Sequence, residues 1–304
     1  MEEKIQSKIT RLKKEKNAII LAHYYQRDEV QELADFIGDS LALSIEASKT
    51  DADIIVFCGV KFMAETAKIL SPQKKVILPV IDAGCPLADM ATAEKVLNMK
   101  NEIGDVSIVS YVNTNVDVKM VSDICCTSAN AINVVKSLES EKILFVPDKY
   151  LGAYVQKFVK DKEIYLFDGY CLVHDSFNKQ DIEDLLSKHP YAKVCVHPES
   201  PMEVIELADF VGSTAGIINY CIKNNAKEFI IATESGIVFE LKRQAPDKTF
   251  YTLGSKSICA NMKKTTLKDV LNALEREVYE IILTDEQIQK AKKPIERMIS
   301  IKRQ

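Results

Sequence analysis

One element recurs three times along the chain, as AIILAHYYQ (18–26), VSIVSYVNT (106–114) and AKVCVHPES (192–200). In each copy an apolar, strand-like run ends in polar side chains. His23, Tyr111 and His197 fall at equivalent positions, 88 and 86 residues apart. Self-similarity at a fixed period is typical of chains built from repeated units. The sequence therefore predicts three copies of one supersecondary unit.

Three further landmarks recur in phase with the first, again three times each. They are ADFIGDSLAL (34–43), SDICCTSANA (122–131) and ADFVGSTAGI (208–217); DIIVFCGVKFMAE (53–65), KILFVPDKYLGAY (142–154) and EFIIATESGIVFE (228–240); and KKVILPVIDAGCP (74–86), KEIYLFDGYCLV (162–173) and KTFYTLGSKSICA (248–260). Chance similarity would not keep four landmarks in phase, so the repeat covers the whole of each unit.

Short β-branched runs alternate with helical stretches throughout each unit, which is typical of parallel strands covered by helices on both faces. We predict an α/β protein with three homologous three-layer αβα domains. The expected domains are 1–87, 88–173 and 174–261, arranged about a pseudo-threefold axis with the active site at the centre. The remaining segment, 262–304, has apolar residues at helical spacing and is expected to pack on the first domain.

Composition narrows the class of protein. The chain has 304 residues, 47% of them hydrophobic and 28% charged, with a formal net charge of −4. The chain lacks the excess of basic residues that is typical of a dedicated nucleic-acid-binding protein. No apolar run reaches the roughly 18 residues that would span a membrane, and the mixed-charge N-terminus does not resemble a signal peptide. We expect a cytoplasmic protein whose eight cysteines are thiols or metal ligands.

Three of the cysteines keep the period of the repeat. Cys85, Cys171 and Cys259 are 86 and 88 residues apart and follow the last strand of each unit. None of the other five cysteines recurs at the matching position of all three units, so we interpret them as buried thiols. They are Cys58, Cys125, Cys126, Cys195 and Cys221. Three thiolates could hold zinc or an iron–sulfur cluster. Structural zinc usually has four ligands and C-x₂₋₄-C spacing, whereas three cysteines suit a cubane cluster with one open iron.

Polar side chains at the strand ends are candidates for substrate contacts, because ligands of parallel sheets bind beyond the carboxyl ends of the strands. His23 and His197 end equivalent strands, and the residues two positions further on are Tyr25 and Glu199. In the middle unit the same spacing gives Tyr111 and Asn113, while His174 follows Cys171 by three residues. Strand alternation predicts that both members of each pair lie on one face.

Hydroxyl groups recur where a helix begins after a loop. Ser40, Ser128 and Ser213 with Thr214 hold these positions. Helix N-termini favour carboxylate and phosphate groups, so the four residues are candidates for anionic substrates. Each could equally be an ordinary helix cap.

Several motifs resemble those of quinolinate synthase over nearly the whole chain, from about residue 17 to 297. They are LAHYYQ, ADFIGDSLAL, YVNTNVDVK, CTSANA, HPESP, VGSTAGI, TESGI and NMKKTTL, together with Cys85, Cys171 and Cys259. The resemblance implies three αβα domains around a [4Fe–4S] cluster held by three cysteines. It also implies a transferase of NAD biosynthesis that condenses iminoaspartate with dihydroxyacetone phosphate. Ser200 departs from the family, in which this position often carries cysteine.

The reaction implied by the resemblance suggests catalytic and substrate-binding roles for the strand-end residues. The condensation needs a base to remove a proton from carbon and an acid to help hydroxide leave. We assign the base to Glu199, whose pKa a dry cavity would raise, and the acid to Tyr25. His197 and Tyr111 complete the catalytic set. The substrate-binding set contains His23, Ser40, Tyr111, Asn113, Ser128, His174, His197, Glu199, Ser213 and Thr214.

Other assignments remain open on the residues alone. A reductive dehydroxylase of isoprenoid synthesis and a diphthamide-synthesis enzyme also use one cluster cysteine per domain, and a non-enzymatic zinc module is a third alternative. The expected partners are small anionic substrates, with the enzyme that supplies iminoaspartate as a further candidate. Neither nucleic acid nor membrane is expected as a partner.

Overall fold

Each of the three units forms one parallel sheet with its helices in the computed structural model, which describes residues 2–302. The first unit contains α1 (Glu2–Glu15), β1 (Ala18–His23), α2 (Asp28–Leu33), β2 (Phe36–Gly38), α3 (Ser40–Lys49), β3 (Ile54–Cys58), α4 (Lys61–Leu70), β4 (Lys75–Ile77) and α5 (Pro86–Met90). The second contains α6 (Ala93–Ile103), β5 (Ser107–Tyr111), α7 (Val116–Met120), β6 (Ile124–Cys126), α8 (Ala131–Lys136), β7 (Lys142–Val146), α9 (Lys149–Phe158), β8 (Glu163–Leu166) and α10 (Leu172–Asp175).

The third unit repeats the same order of elements. It contains α11 (Lys179–Lys188), β9 (Lys193–Val196), α12 (Met202–Ile205), β10 (Phe210–Val211), α13 (Thr214–Lys223), β11 (Glu228–Ala232), α14 (Ile237–Gln244), β12 (Thr249–Thr252) and a 3₁₀ turn, Gly254–Ser257. The strand orders are β2-β1-β3-β4, β6-β5-β7-β8 and β10-β9-β11-β12, and all pairs within the sheets are parallel. The predicted α/β class with three αβα units is confirmed; the domain boundaries stay a prediction.

The two central strands of each sheet are buried on both faces, as the apolar runs predict for parallel strands. Along β3, Ile54, Val56 and Cys58 pack against α1 and the C-terminal helix α15 (Leu267–Arg276). The alternate residues, Ile55 and Phe57, belong to a larger core that continues into the second unit. The first two units therefore share packed side chains rather than being joined by a free linker.

An aspartate at the same position of each unit pins the edge strand to its neighbour. Asp35, Asp123 and Asp209 accept the backbone N–H of Ile20, Ile108 and Val194 at 2.7–2.8 Å. The backbone N–H of each aspartate donates in return to the carbonyl of the same strand residue. This paired bond explains the aspartate of the ADF and SDI landmarks as a structural group.

A second repeated side chain closes the opposite edge of each sheet. Lys74, Lys162 and Lys248 are 88 and 86 residues apart, and each ammonium group donates to two or three loop carbonyls. Lys162, for example, donates to Leu138 at 2.6 Å and Ser140 at 2.9 Å. These lysines satisfy the hydrogen-bonding capacity of partly buried loop carbonyl groups.

The C-terminal segment divides between two units. Helix α15 packs on α1 and β3 of the first unit. Helix α16 (Asp285–Ser300) contacts α3 and α4 of the first unit and also α7 and β6 of the second. Its residues Ala291, Ile295 and Met298 are buried in the shared core. Across residues 2–302, none of the helices combines the length and apolar character that crossing a membrane requires.

Candidate active site

A cavity of about 470 Å³ lies where the three units meet. Its walls include residues of all three cysteine loops and of all three strand-end loops. The predicted site residues that line it are His23, Tyr25, Ser40, Cys85, Tyr111, Asn113, Ser128, Cys171, His174, His197, Glu199, Thr214 and Cys259. The repeat therefore brings side chains that are distant in sequence into one space.

The strand ends deliver these side chains, but the details differ from the expectation. Strand β1 ends at His23 and β5 at Tyr111, while β9 ends one residue before His197. Tyr25 and Glu199 lie in the turns that follow and not on strands. The expectation that strand alternation orients these pairs is therefore wrong, because the backbone has already turned.

A bond between backbone and imidazole orients the two turns in the same way. The N–H of Tyr25 donates to His23 Nδ1 at 3.2 Å, and the N–H of Glu199 approaches His197 Nδ1 at 3.5 Å. In both turns the histidine ring accepts from the residue two positions later. Equivalent residues in two units thus use one local structure to direct a polar side chain into the cavity.

Glu199 is buried at the centre of the polar groups, with 3% of its surface exposed. Its Oε2 lies 2.8 Å from His174 Nδ1 and 3.4 Å from His197 Nδ1. Asn113 Nδ2 donates to Oε1 at 3.3 Å. Groups from the second and third strand-end loops and from the helical turn after Cys171 therefore converge on this carboxylate.

The electrostatics of Glu199 differ from the expectation. Burial by itself raises the pKa of the carboxyl, but His197, His174 and the Tyr111 hydroxyl outweigh it and lower the pKa below its usual range. The expected upward shift is wrong, because His197, His174 and Tyr111 stabilise the charged form of the carboxyl. Burial lowers the pKa of His23 and of His197 to about 3. Both rings are therefore neutral at neutral pH.

A chain of close polar contacts joins Tyr25 to Glu199. The Tyr25 hydroxyl lies 2.6 Å from Thr233 Oγ1, and Thr233 Oγ1 lies 2.9 Å from His174 Nε2. The contact between His174 and Glu199 completes the path. Burial also raises the pKa of Tyr25, which keeps the phenol protonated. The two groups expected to handle protons are thus connected through Thr233 and His174.

The four candidate hydroxyl residues occupy different environments. Ser40 is the first residue of α3, after the N-cap Asp39, and Ser128 lies in the turn before α8 with its Oγ 3.1 Å from His197 Nε2. Thr214 begins α13, and its Oγ1 lies 2.8 Å from the Tyr25 hydroxyl. Ser213 instead caps α13, accepting the Gly216 N–H at 3.2 Å, and is not brought to the cavity.

The three repeated cysteines have matching local structure. The carbonyl of each accepts a backbone N–H from the residue four positions later, from Asp89 to Cys85, Asp175 to Cys171 and Lys263 to Cys259. All three are partly exposed, whereas the other five cysteines are buried. Cys171 can also offer its sulfur within 4.8 Å of donor atoms on His174 and Glu199. The three partly exposed thiols and the catalytic candidates therefore line the same cavity.

Burial and nearby backbone N–H groups have opposite effects on the pKa values of these three thiols. Burial raises the pKa of Cys85 to about 12, although backbone N–H groups of Ala88 and Leu87 oppose the shift. Burial likewise raises the pKa of Cys171 and Cys259, opposed by backbone N–H groups of the helical turns that follow. Among the described residues lining the cavity there is no fourth cysteine. Three thiols on equivalent turns fit a cluster with three protein ligands.

Sequence reasoning did not single out three polar residues that complete the site. Thr233 and Glu234 follow β11 directly, and Glu234 Oε1 accepts the Cys259 N–H at 3.2 Å. Lys263 donates to the Tyr25 carbonyl at 2.6 Å and lies 3.0 Å from Glu234. The available signals were the position of Thr233 and Glu234 after a buried strand, within TESGI, and that of Lys263 within NMKKTTL. They tie the Tyr25 turn to the third cysteine loop.

The chain is similar to proteins of known function over its full length. The family model described as Quinolinate synthetase A protein matches residues 7–300. A quinolinate synthase from Sulfurihydrogenibium sp. is 54% identical over 299 residues, covering 97% of each chain. The quinolinate synthase of Clostridium acetobutylicum is 49% identical and covers 100% of both chains. With these matches and the three-unit fold, the chain belongs to the quinolinate synthase family.

Proposed function

We propose that the central cavity carries out the quinolinate synthase reaction of the family, with Cys85, Cys171 and Cys259 as ligands of a [4Fe–4S] cluster. Iminoaspartate and dihydroxyacetone phosphate would give quinolinate, phosphate and two waters, with no net oxidation or reduction. The observation that carries the proposal is the meeting of one partly exposed thiol from each unit with the Glu199 cluster of polar groups. The test is quinolinate formation by anaerobically purified protein.

The donor set supports the cluster rather than a zinc ion. Three thiols line the cavity, and each follows the last strand of its unit on an equivalent turn. Thiolates favour iron–sulfur clusters, whereas structural zinc is usually closed by four ligands. When bound, the cluster supplies an iron without a protein ligand that acts as a Lewis acid toward a substrate oxygen.

Proton transfer falls to the two ends of the buried polar path. Glu199 accepts a proton from substrate carbon, and Tyr25 donates one to the departing hydroxyl group. Thr233 and His174 lie between them at 2.6–2.9 Å contacts, and the proposed route returns a proton from Glu199 to Tyr25 through these two side chains. Burial of His174 and Glu199 excludes bulk water from this path.

Neutral donors and acceptors orient the substrate oxygen atoms. His23 and His197 are buried, uncharged rings, and Tyr111 is a buried phenol beside Glu199. Asn113 holds Glu199 through its Nδ2, while its Oδ1 has no partner among the described residues. That carbonyl oxygen is suited to accept a hydrogen bond from the imine or hydroxyl of a substrate.

The hydroxyl groups of Ser40, Ser128 and Thr214 would bind the carboxylates and phosphate. Ser40 and Thr214 begin ten-residue helices, where free backbone N–H groups also favour anions. Ser128 is held by His197 and is thereby aimed into the cavity. Ser213, which caps α13, contributes to helix stability instead.

A pair of serine substitutions separates these roles. Ser128→Ala should weaken apparent substrate binding by roughly ten- to a hundredfold, because a hydrogen bond to a charged group contributes about 1.5–3 kcal/mol. The matched control is Ser213→Ala, which should lower the free energy of unfolding by about 1 kcal/mol with unchanged KM. Steady-state kinetics and denaturant unfolding measure both. Unchanged KM for Ser128→Ala would remove this residue from the binding set.

Family membership favours this assignment over the reductive dehydroxylase, the diphthamide-synthesis enzyme and the zinc module. The domains 1–87, 88–173 and 174–261 are proposed as the three walls of the cavity. A cytoplasmic location and transfer of iminoaspartate from the enzyme that makes it are part of the proposal.

A further inference from the structure

Two fully buried polar side chains outside the cavity occupy the same position of the repeat. Gln31 lies on α2 and Lys119 on α7, 88 residues apart, and both are 0% exposed. Neither is among the residues that line the cavity. A buried lysine is costly unless its ammonium group is well paired, so its hydrogen bonds indicate what it does.

Both side chains donate to the same pair of backbone carbonyls in their own units. Gln31 Nε2 lies 3.0 Å from the carbonyl oxygens of Tyr24 and Gln26. Lys119 Nζ donates to the Val112 carbonyl at 2.9 Å and to the Thr114 carbonyl. Tyr24 and Val112 are 88 residues apart, as are Gln26 and Thr114. One hydrogen-bonded clamp therefore closes equivalent turns in two units.

The residue enclosed by each clamp belongs to the proposed active site. Tyr25 stands between Tyr24 and Gln26, and Asn113 stands between Val112 and Thr114. With the carbonyls on both sides fixed, the central residue is left to point its side chain toward the cavity. Gln31 also reaches the Gly236 carbonyl at 2.9 Å, which joins the first clamp to the third unit.

The third unit achieves the same result differently. Its equivalent turn is Pro198–Ser200 with Glu199 at the centre, and Ile205 occupies the position of Gln31 and Lys119. Isoleucine offers no hydrogen-bond donor. Pro198 is the first residue of the turn and Pro201 follows it directly, and a proline ring fixes φ without an external hydrogen bond. A donor is thus present in the two turns that lack proline.

We propose that Gln31 and Lys119 are positioning residues, which hold Tyr25 and Asn113 in the orientation that the reaction needs. This inference rests on the proposed function, since it takes those two residues as active-site groups. The alternative is a purely structural lysine, of which the chain has an example. Lys162 donates to two carbonyls in the same unit at the opposite edge of the sheet.

Three variants test the proposal in cluster-loaded protein. Lys119→Met should lower kcat per cluster by about 10–100-fold, because a small displacement of a reacting group has effects of this size. Lys119→Gln, which introduces the residue of the first unit, should recover most of that loss. The matched control Lys162→Met should keep its kcat per cluster and lose only stability. If the Lys119→Met protein does not fold, Gln31→Met tests the equivalent turn of the first unit. It should lower kcat per cluster by a similar factor.

Amide hydrogen exchange supplies a readout that does not depend on the reaction. Lys119→Met should increase exchange in the 112–116 turn, and Lys119→Gln should restore its protection. If wild-type protein makes no quinolinate, the proposed function is overturned. The exchange experiment still tests whether Lys119 holds the 112–116 turn, because it does not depend on the reaction. Equal kcat per cluster for Lys119→Met and Lys162→Met, or no rescue by Lys119→Gln, would overturn the positioning role.

Discussion

Replacing Cys171 with serine is expected to abolish the brown absorbance of the anaerobically purified protein together with quinolinate formation. Serine oxygen is a harder and less readily deprotonated ligand than thiolate, so it does not replace sulfur at an iron–sulfur site. Cys85→Ser and Cys259→Ser should behave in the same way, since the three thiols are equivalent in the repeat. Iron analysis, sulfide analysis and a quinolinate assay on each variant measure the result.

The five buried cysteines provide matched controls for this experiment. Cys195 and Cys221, whose sulfurs are 3.8 Å apart in the third unit, are fully buried away from the cavity. Serine at either position should leave iron content near the wild-type value. An iron-replete Cys171→Ser protein with normal turnover would contradict the ligand assignment.

Glu199→Gln is expected to lower kcat by at least the usual contribution of general acid–base catalysis, which is about 10²–10⁴-fold. Glutamine preserves the size of the side chain but cannot accept a proton at neutral pH. Iron content and product binding should remain close to wild type, because Glu199 is not a proposed ligand of the cluster. Wild-type kcat in a cluster-loaded Glu199→Gln protein would mean that another group is the base.

Substitutions along the polar path identify how protons travel. Tyr25→Phe removes the proposed acid and should reduce kcat by a similar 10²–10⁴-fold. Thr233→Val removes the hydroxyl between Tyr25 and His174 at nearly constant volume, whereas Thr233→Ser keeps it. We expect kcat to fall for valine and to be largely retained for serine. Equal activity of the two Thr233 variants would exclude a path through this hydroxyl.

The fold could be predicted because the same pattern of strands and helices occurs three times in the sequence. Apolar strands at a constant period predict parallel sheets, and the three sheets have the same strand order. The roles of Asp35 and Lys74, in contrast, required the structure. Their repetition was visible, but only hydrogen bonds show that they pin strand and loop backbone.

The residues of the site were predictable to the extent that strand ends and in-phase cysteines point to one edge of each sheet. Their electrostatics were not, because the pKa of Glu199 depends on donors that come from other parts of the chain. Ser213 and Thr214 are adjacent in sequence, yet one caps a helix and the other lines the cavity. A one-residue difference of that kind depends on where the helix begins.

The most direct test of a cluster at the meeting point of the three units is metal analysis of anaerobically purified wild-type protein, with a quinolinate assay on the same sample. We expect about four irons and four labile sulfides per chain, as in a [4Fe–4S] cluster, and quinolinate from iminoaspartate and dihydroxyacetone phosphate. Colourless protein with one zinc per chain, no labile sulfide and no quinolinate would contradict the account.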